Sequence, residues 1–475
     1  MKCNDKNLQS WFNWCRRVYC TKAYFKNFVV DFFSKGHPRT IKAKKNIFAS
    51  FGLKGFSILV SFLLVPLTLN YLNPTKYGIW LTISSIVGWF GFFDIGLGNG
   101  LRNKLAEALA LKDYELGKAY VSATYFILTA IIGIVYILFL FINHWLNWAV
   151  ILNTSPNLKD KLSIIVLVVV AFFALRFVLK LIGVIFTADQ NPAINDSFTP
   201  LGNLIALLGI FLITKISNGN LLYVSFIYSA APVLILVFAS FYFFNRKYKF
   251  LKPSLKYVKI KYFKSLAGLG SKFFLLQISA IIVFSTDNII ITQILGPAEV
   301  TPYNIAFKYF GIPIMVFTII ITPYWSAFTD AITKNDIKWI KNSINKLIKI
   351  WLLAVVGVII LLAISKYFYL MWVGDKVHIP FLLSAFMGLY AIISTWNNIF
   401  AFFLNGIGKL KLSIYLSAII MIINIPLSIF LAKNLKLGIE GVILATISCL
   451  LIGTFIQPLQ YYKIINKKAV GIWNK

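Results

Sequence analysis

Residues 77–105 read YGIWLTISSIVGWFGFFDIGLGNGLRNKL, an apolar run that ends in glycines and a basic turn. A bilayer's hydrocarbon core is about 30 Å thick and takes roughly 20 apolar helical residues to cross, so the run is long enough to span. Asp94 sits between Phe93 and Ile95 near its inner end. A carboxylate at membrane depth costs about 2.5–3.5 kcal/mol on insertion scales, and such groups face a water-filled cavity or a partner. Gly96, Gly98 and Gly100 then suit close helix packing or a bend beside that cavity. The stretch reads as part of a transport path.

The same texture extends along the whole chain. Of its 475 residues, 59% are hydrophobic and 13% charged, which excludes a soluble globular domain. The apolar runs predict an all-α integral membrane protein of about twelve transmembrane helices. The first six fall at 47–72, 77–100, 119–142, 163–187, 198–217 and 221–244. The second six fall at 271–295, 303–328, 347–370, 379–404, 411–432 and 438–460.

A net charge of +32 invites a nucleic-acid reading, but its distribution argues against one. With the N-terminus inside, 34 of the 47 Lys and Arg residues fall in cytoplasmic segments. That asymmetry is the positive-inside rule; it places both termini in the cytoplasm and anionic inner-leaflet lipid against the basic loops. The protein is expected in a membrane that has the cytoplasm on one side. Cys3, Cys15, Cys20 and Cys449 lack metal-ligand spacing, and His37, His144 and His378 are scattered, so no metal or cofactor is implied.

The runs fall into two sets of six. YLNPTKYGIW (71–80) and ILGPAEVTPYNIAF (294–307) each place a proline in the turn and a tyrosine at the opening of the next helix: Pro74 with Tyr77, and Pro297 with Tyr303. Repeats of six helices are parallel, so the two bundles are related by a pseudo-two-fold along the membrane normal, with the substrate path between them. The organisation is a basic tail 1–45, a bundle 46–245, a basic linker 246–268, a bundle 269–460 and a tail 461–475. The first tail carries Trp11, Trp14, Phe25, Phe28 and Phe32 at roughly helical spacing and reads either as an interfacial helix or as a tail that only sets orientation.

GLGSK at 268–272 is too short for a phosphate-binding loop and GLGNG at 96–100 lacks dinucleotide spacing, so ATP-driven chemistry is not indicated. The intramembrane ionisable residues are Lys54, Asp94, Arg176, Lys180, Lys272, Asp287 and Lys308. Arg176 and Lys180, spaced i,i+4, share one helix face. With Lys54 and Lys308 they are the candidate substrate-binding cations, lining an inward cavity that captures an anionic headgroup such as a pyrophosphate. Lys272 reads as snorkelling to the interface. Asp94 and Asp287 are the candidate ion-coupling groups, the bland alternative being pairing with a buried cation. Trp89, Trp325 and Trp396 are aromatic candidates for stacking on sugar rings, although most aromatics will face lipid.

LVPLTLNYL, YGIW and FFDIGLGNGLRNKLAE in the first half, FSTDNIIITQILGPAEVTPYNIA in the second, and LKLGIEGVILATI in the last hairpin resemble bacterial polysaccharide-biosynthesis membrane proteins. These are the O-antigen-type flippases of the multidrug/oligosaccharidyl-lipid/polysaccharide exporter superfamily. The resemblance covers residues 46–460 and is diffuse outside those blocks. It implies two six-helix bundles around a central cavity, and translocation of an undecaprenyl-pyrophosphate-linked oligosaccharide by alternating access, coupled to H⁺ or Na⁺. Other polysaccharide-assembly membrane proteins are the implied partners. Asp94 and Asp287 lie in matching blocks; the cations do not, and rest on the physical argument.

The alternatives are a multidrug or small-molecule exporter and a membrane glycosyltransferase or polymerase. Five intramembrane cations against two carboxylates favour an anionic substrate over cationic drugs. The longest external loop, 143–162, offers a lone acid, Asp160, which does not suit an enzyme.

Overall fold

The computed structural model describes residues 38–89, 97–189, 191–258 and 286–474, and all regular structure among them is helical. In the first half the helices are α1 Pro38–Leu72, α2 Pro74–Trp89, α3 Leu97–Ala110, α4 Tyr114–Trp145, α5 Lys159–Leu179, α6 Leu181–Ala188, α7 Pro192–Ile213 and α8 Leu221–Asn245. The second half holds α9 Asp287–Leu295, α10 Pro297–Thr333, α11 Ile337–Val373, α12 Phe381–Gly406, α13 Lys411–Ile429 and α14 Gly438–Ile465. Ten described stretches are long and apolar enough to cross a bilayer, α5 and α6 forming one of them together. The other two runs read from the sequence, 77–100 and 271–295, are represented by α2 and α9. The start of α1 and the end of α14 mark one face, the terminal side; the opposite face is the far side.

Two expectations need correction. Residues 101–110, read as loop, belong to α3, whose Leu97, Leu101 and Leu105 recur every four residues and are fully buried beside α4 and α6. The helix expected at 163–187 is broken at Lys180, where the Gly183 N–H bonds to the Lys180 carbonyl at 2.9 Å.

The two halves repeat in backbone detail. Asn73 (φ 84°) and Gly296 (φ 98°) each turn the chain in the left-handed region immediately before Pro74 and Pro297, which open α2 and α10. Asp113 and Asp336 each cap a helix, accepting from the backbone N–H of Leu116 and Trp339. A left-handed residue precedes each cap, Lys112 (φ 58°) and Asn335 (φ 56°).

The bundles join on the far side. One continuous core there mixes residues of both halves, including Leu69, Tyr77 and Ile83 with Ile291, Tyr303 and Met387. Toward the terminal side the core divides into one cluster of residues 97–251 and another of residues 317–465. Hydrogen bonds follow the same division. Thr82 and Thr292 hydroxyls meet at 2.7 Å, Asn288 donates to Ser85 at 2.6 Å, and Thr301 donates to the Pro74 carbonyl at 2.7 Å. Trp372 stacks on Phe62 at 4.4 Å and donates to its carbonyl. Gln293 reaches across to the Val150 carbonyl at 2.9 Å. At Gly78 the two halves touch most closely, since a Cβ there would stand 1.7 Å from the Pro297 carbonyl oxygen. Among the described residues the bundles share one core on the far side and pack as separate cores toward the other.

Candidate functional site

A cavity of about 800 Å³ lies between the bundles below this shared core. From the first bundle α1 contributes Lys54, Ser61 and Phe62 and α2 contributes Tyr77; from the second, α10 contributes Asn304, Phe307 and Lys308 and α12 contributes Tyr390. Among the described residues its charged lining groups are Lys54 and Lys308, with no carboxylate. Lys308 donates to the Ser61 carbonyl at 3.0 Å, leaving two of its three N–H donors for other acceptors.

A second pocket, of about 360 Å³, adjoins the first through Lys54 and Ser57. It is lined by Arg176 and Lys180 from the broken helix, by Asn195, Asp196 and Thr199 from α7, and by Pro232 and Leu236 from α8. Lys54 and Arg176 are both exposed although both lie on membrane helices, which places their charges in these spaces. Lys180 sits 4.0 Å from the centre of the Phe177 ring, so its ammonium is partly held by the π-face. The described ion pairs, Lys104–Glu107 and Lys247–Asp189, include none of Lys54, Arg176 and Lys308. The structure thus brings all four expected cations to two connected compartments.

Asp287 lies near the apex of the central cavity. It is buried, accepts the Tyr303 hydroxyl on Oδ2, and has no hydrogen-bond partner for Oδ1 among the described residues. No ion pair to it occurs among the described residues. Tyr303 stacks on Phe307, which lines the cavity, so the carboxylate is one side chain behind the wall. Next to it Asn304 donates to Asn288 at 2.7 Å, and Asn288 donates across to Ser85.

Asp94 and Lys272 lie outside the described residues, as does nearly all of the 1–45 tail. Trp89 belongs to α2, and its side chain is also outside the description. Trp396 packs against Trp351 and Phe400 inside the second bundle, and Trp325 packs on Phe402. Neither lines the cavity. The aromatic wall is instead Phe62, Tyr77, Phe307 and Tyr390. Tyr77 carried a signal in sequence as one of the two repeated tyrosines; the other three had none.

On the terminal side Asp189 gathers the loop after α6 and the end of α8. It pairs with Lys247 at 2.6 Å and accepts from Tyr248 and Asn191, each at 2.8 Å. Burial, then the bond to Asp189, pushes the Tyr248 phenol above its ordinary pKa.

A family model described as "Polysaccharide biosynthesis protein" matches residues 43–329. The chain is similar to a Yersinia pseudotuberculosis protein named for O-antigen export, 24% identical over 436 residues that cover 87% of this chain and 93% of that one. It is also similar to a Salmonella typhimurium protein named for O-antigen transport, 25% identical over 410 residues that cover 84% and 91%. An inward-facing multidrug resistance MATE family transporter of the MOP superfamily shares the fold at a TM-score of 0.68 and 14% identity, over 87% of this chain and 100% of that one. A MOP superfamily transporter from Pyrococcus furiosus, described as having a binding pocket of reversed polarity, gives 0.62 at 13% identity, over 93% and 98%.

Proposed function

The chain belongs to the polysaccharide biosynthesis protein family and is a multi-pass bacterial membrane transporter, and from that premise we propose that its substrate is an undecaprenyl-pyrophosphate-linked oligosaccharide. It moves this substrate from the inner to the outer leaflet of the cytoplasmic membrane by alternating access, for surface polysaccharide assembly. The terminal side, rich in Lys and Arg, faces the cytoplasm, where the substrate is loaded. No catalytic step is assigned to the chain.

One observation carries the reading: among the described residues the cavity between the bundles is lined by two lysines and no carboxylate. A pyrophosphate bonded to lipid on one side and to sugar on the other needs a passage open in two directions. The space between the bundles is such a passage, and Lys308 and Lys54 are its cations. Tyr77, Phe307 and Tyr390 offer faces for sugar rings. A cavity built for cationic drugs would need acidic lining residues instead. Asp287, buried behind Tyr303 and Phe307, is the proposed coupling group for H⁺ or Na⁺, with Asp94 as its counterpart in the first half.

The test is leaflet-resolved accumulation of the prenyl-pyrophosphate glycan in cells lacking this protein. Inner-leaflet glycan should accumulate and wild type should clear it. Lys308→Gln should slow clearance about tenfold or more, as expected for removing one charge-assisted contact of about 1.5–3 kcal/mol. A deletion strain without accumulation would refute the proposal.

A further inference from the structure

The pocket beside the central cavity differs from it in one respect that bears on the substrate. All its described lining residues come from the first bundle, on α1, α5, α7 and α8, and Lys180 lies at the break between α5 and α6. At about 360 Å³ it holds about a dozen waters at ~30 Å³ each, more than enough space for one sugar ring with its substituents. A pyrophosphate within a lipid-linked glycan is bonded at both ends and belongs between the bundles. A recess walled by one bundle suits a group attached at one end only.

The lining specifies the chemistry of that group. Arg176 presents a planar fork that matches a carboxylate, and Lys180 adds a second cation one turn away. Asp196 stands in the same pocket, and its negative charge weighs more against a doubly charged phosphate than against a singly charged carboxylate. Together with Asn195 and Thr199 it offers acceptors for ring hydroxyls. Asn195 is built into place: its Oδ1 stands 1.9 Å from where a Cβ on residue 183 would be, so only glycine at 183 lets the amide lie there.

Resting on the flippase reading above, we propose that this pocket is a sugar subsite that selects a carboxylate-bearing residue of the glycan, of the hexuronic-acid class. Arg176 and Lys180 hold the carboxylate, and Asn195 and Asp196 hold the ring hydroxyls.

The test uses the full chain in proteoliposomes with two synthetic prenyl-pyrophosphate disaccharides, one ending in glucuronate and the other in its carboxyl-reduced counterpart, glucose. Wild type should flip the acidic compound about tenfold faster. Arg176→Gln/Lys180→Gln should erase that ratio through loss of rate on the acidic compound. Lys308→Gln should lower both rates and keep the ratio. Arg176→Lys, which retains the charge, should keep part of the preference, and thermal unfolding of every variant checks its folding. Equal wild-type rates on the two compounds would overturn the subsite and leave the flippase reading standing. A double variant that slows both compounds alike would overturn it too and return Arg176 and Lys180 to the pyrophosphate. If wild type moves neither compound, the flippase reading fails and takes this proposal with it.

Discussion

Tyr303 and Asp287 show what single side chains do at membrane depth. A carboxylate with one oxygen bonded to a phenol and the other without a described partner leans on that phenol. Tyr303→Phe removes the donor and keeps the ring against Phe307. The expected cost is about 1–3 kcal/mol, the range for leaving a buried polar group unsatisfied, read as a lower unfolding temperature in detergent. A variant that melts with wild type would mean that Tyr303 does not hold the carboxylate.

Helices meet across the molecule at defined points, and Gly78 is the tightest. Its Cα faces the first carbonyl of α10, with no room for even one methyl group. Gly78→Ala therefore has to push α2 away from α10 and weaken the far-side seal formed by Thr82–Thr292 and Asn288–Ser85. A cysteine placed at 292 in a cysteine-free background should react several-fold faster with a membrane-impermeant thiol reagent from the far side in the Gly78→Ala variant. Unchanged labelling would show that the seal does not depend on this contact.

The whole molecule is two bundles hinged about a shared far-side core, with separate cores toward the terminal side. Transport by alternating access requires that shared core to part. Thr82 and Thr292, whose hydroxyls lie 2.7 Å apart, are close enough for a disulfide when both are replaced by cysteine. Oxidised Thr82→Cys/Thr292→Cys protein should lose transport more than tenfold and regain it on reduction. Transport by the fully crosslinked protein would mean that the far side need not open there.

The sequence by itself determined the elements. Apolar runs near 20 residues and the paired Pro-Tyr turns dictate spans and repeat, because burying apolar surface in lipid is a local requirement of each segment, and the skewed lysines carry the expected sidedness. The deep cations were legible for the same reason, since Lys54, Arg176, Lys180 and Lys308 stand out against apolar neighbours. What only the tertiary structure decided is which of them share a compartment. Arg176 and Lys180 sit with Asp196 in a pocket of one bundle, while Lys308, more than a hundred residues further on, faces Lys54 across the cavity between bundles. The break at Lys180, the helix at 97–110 and, apart from Tyr77, the aromatic wall were equally hidden. They arise from packing between segments distant in the chain, and hydropathy, which weighs each segment against lipid, carries no term for which helix becomes its neighbour.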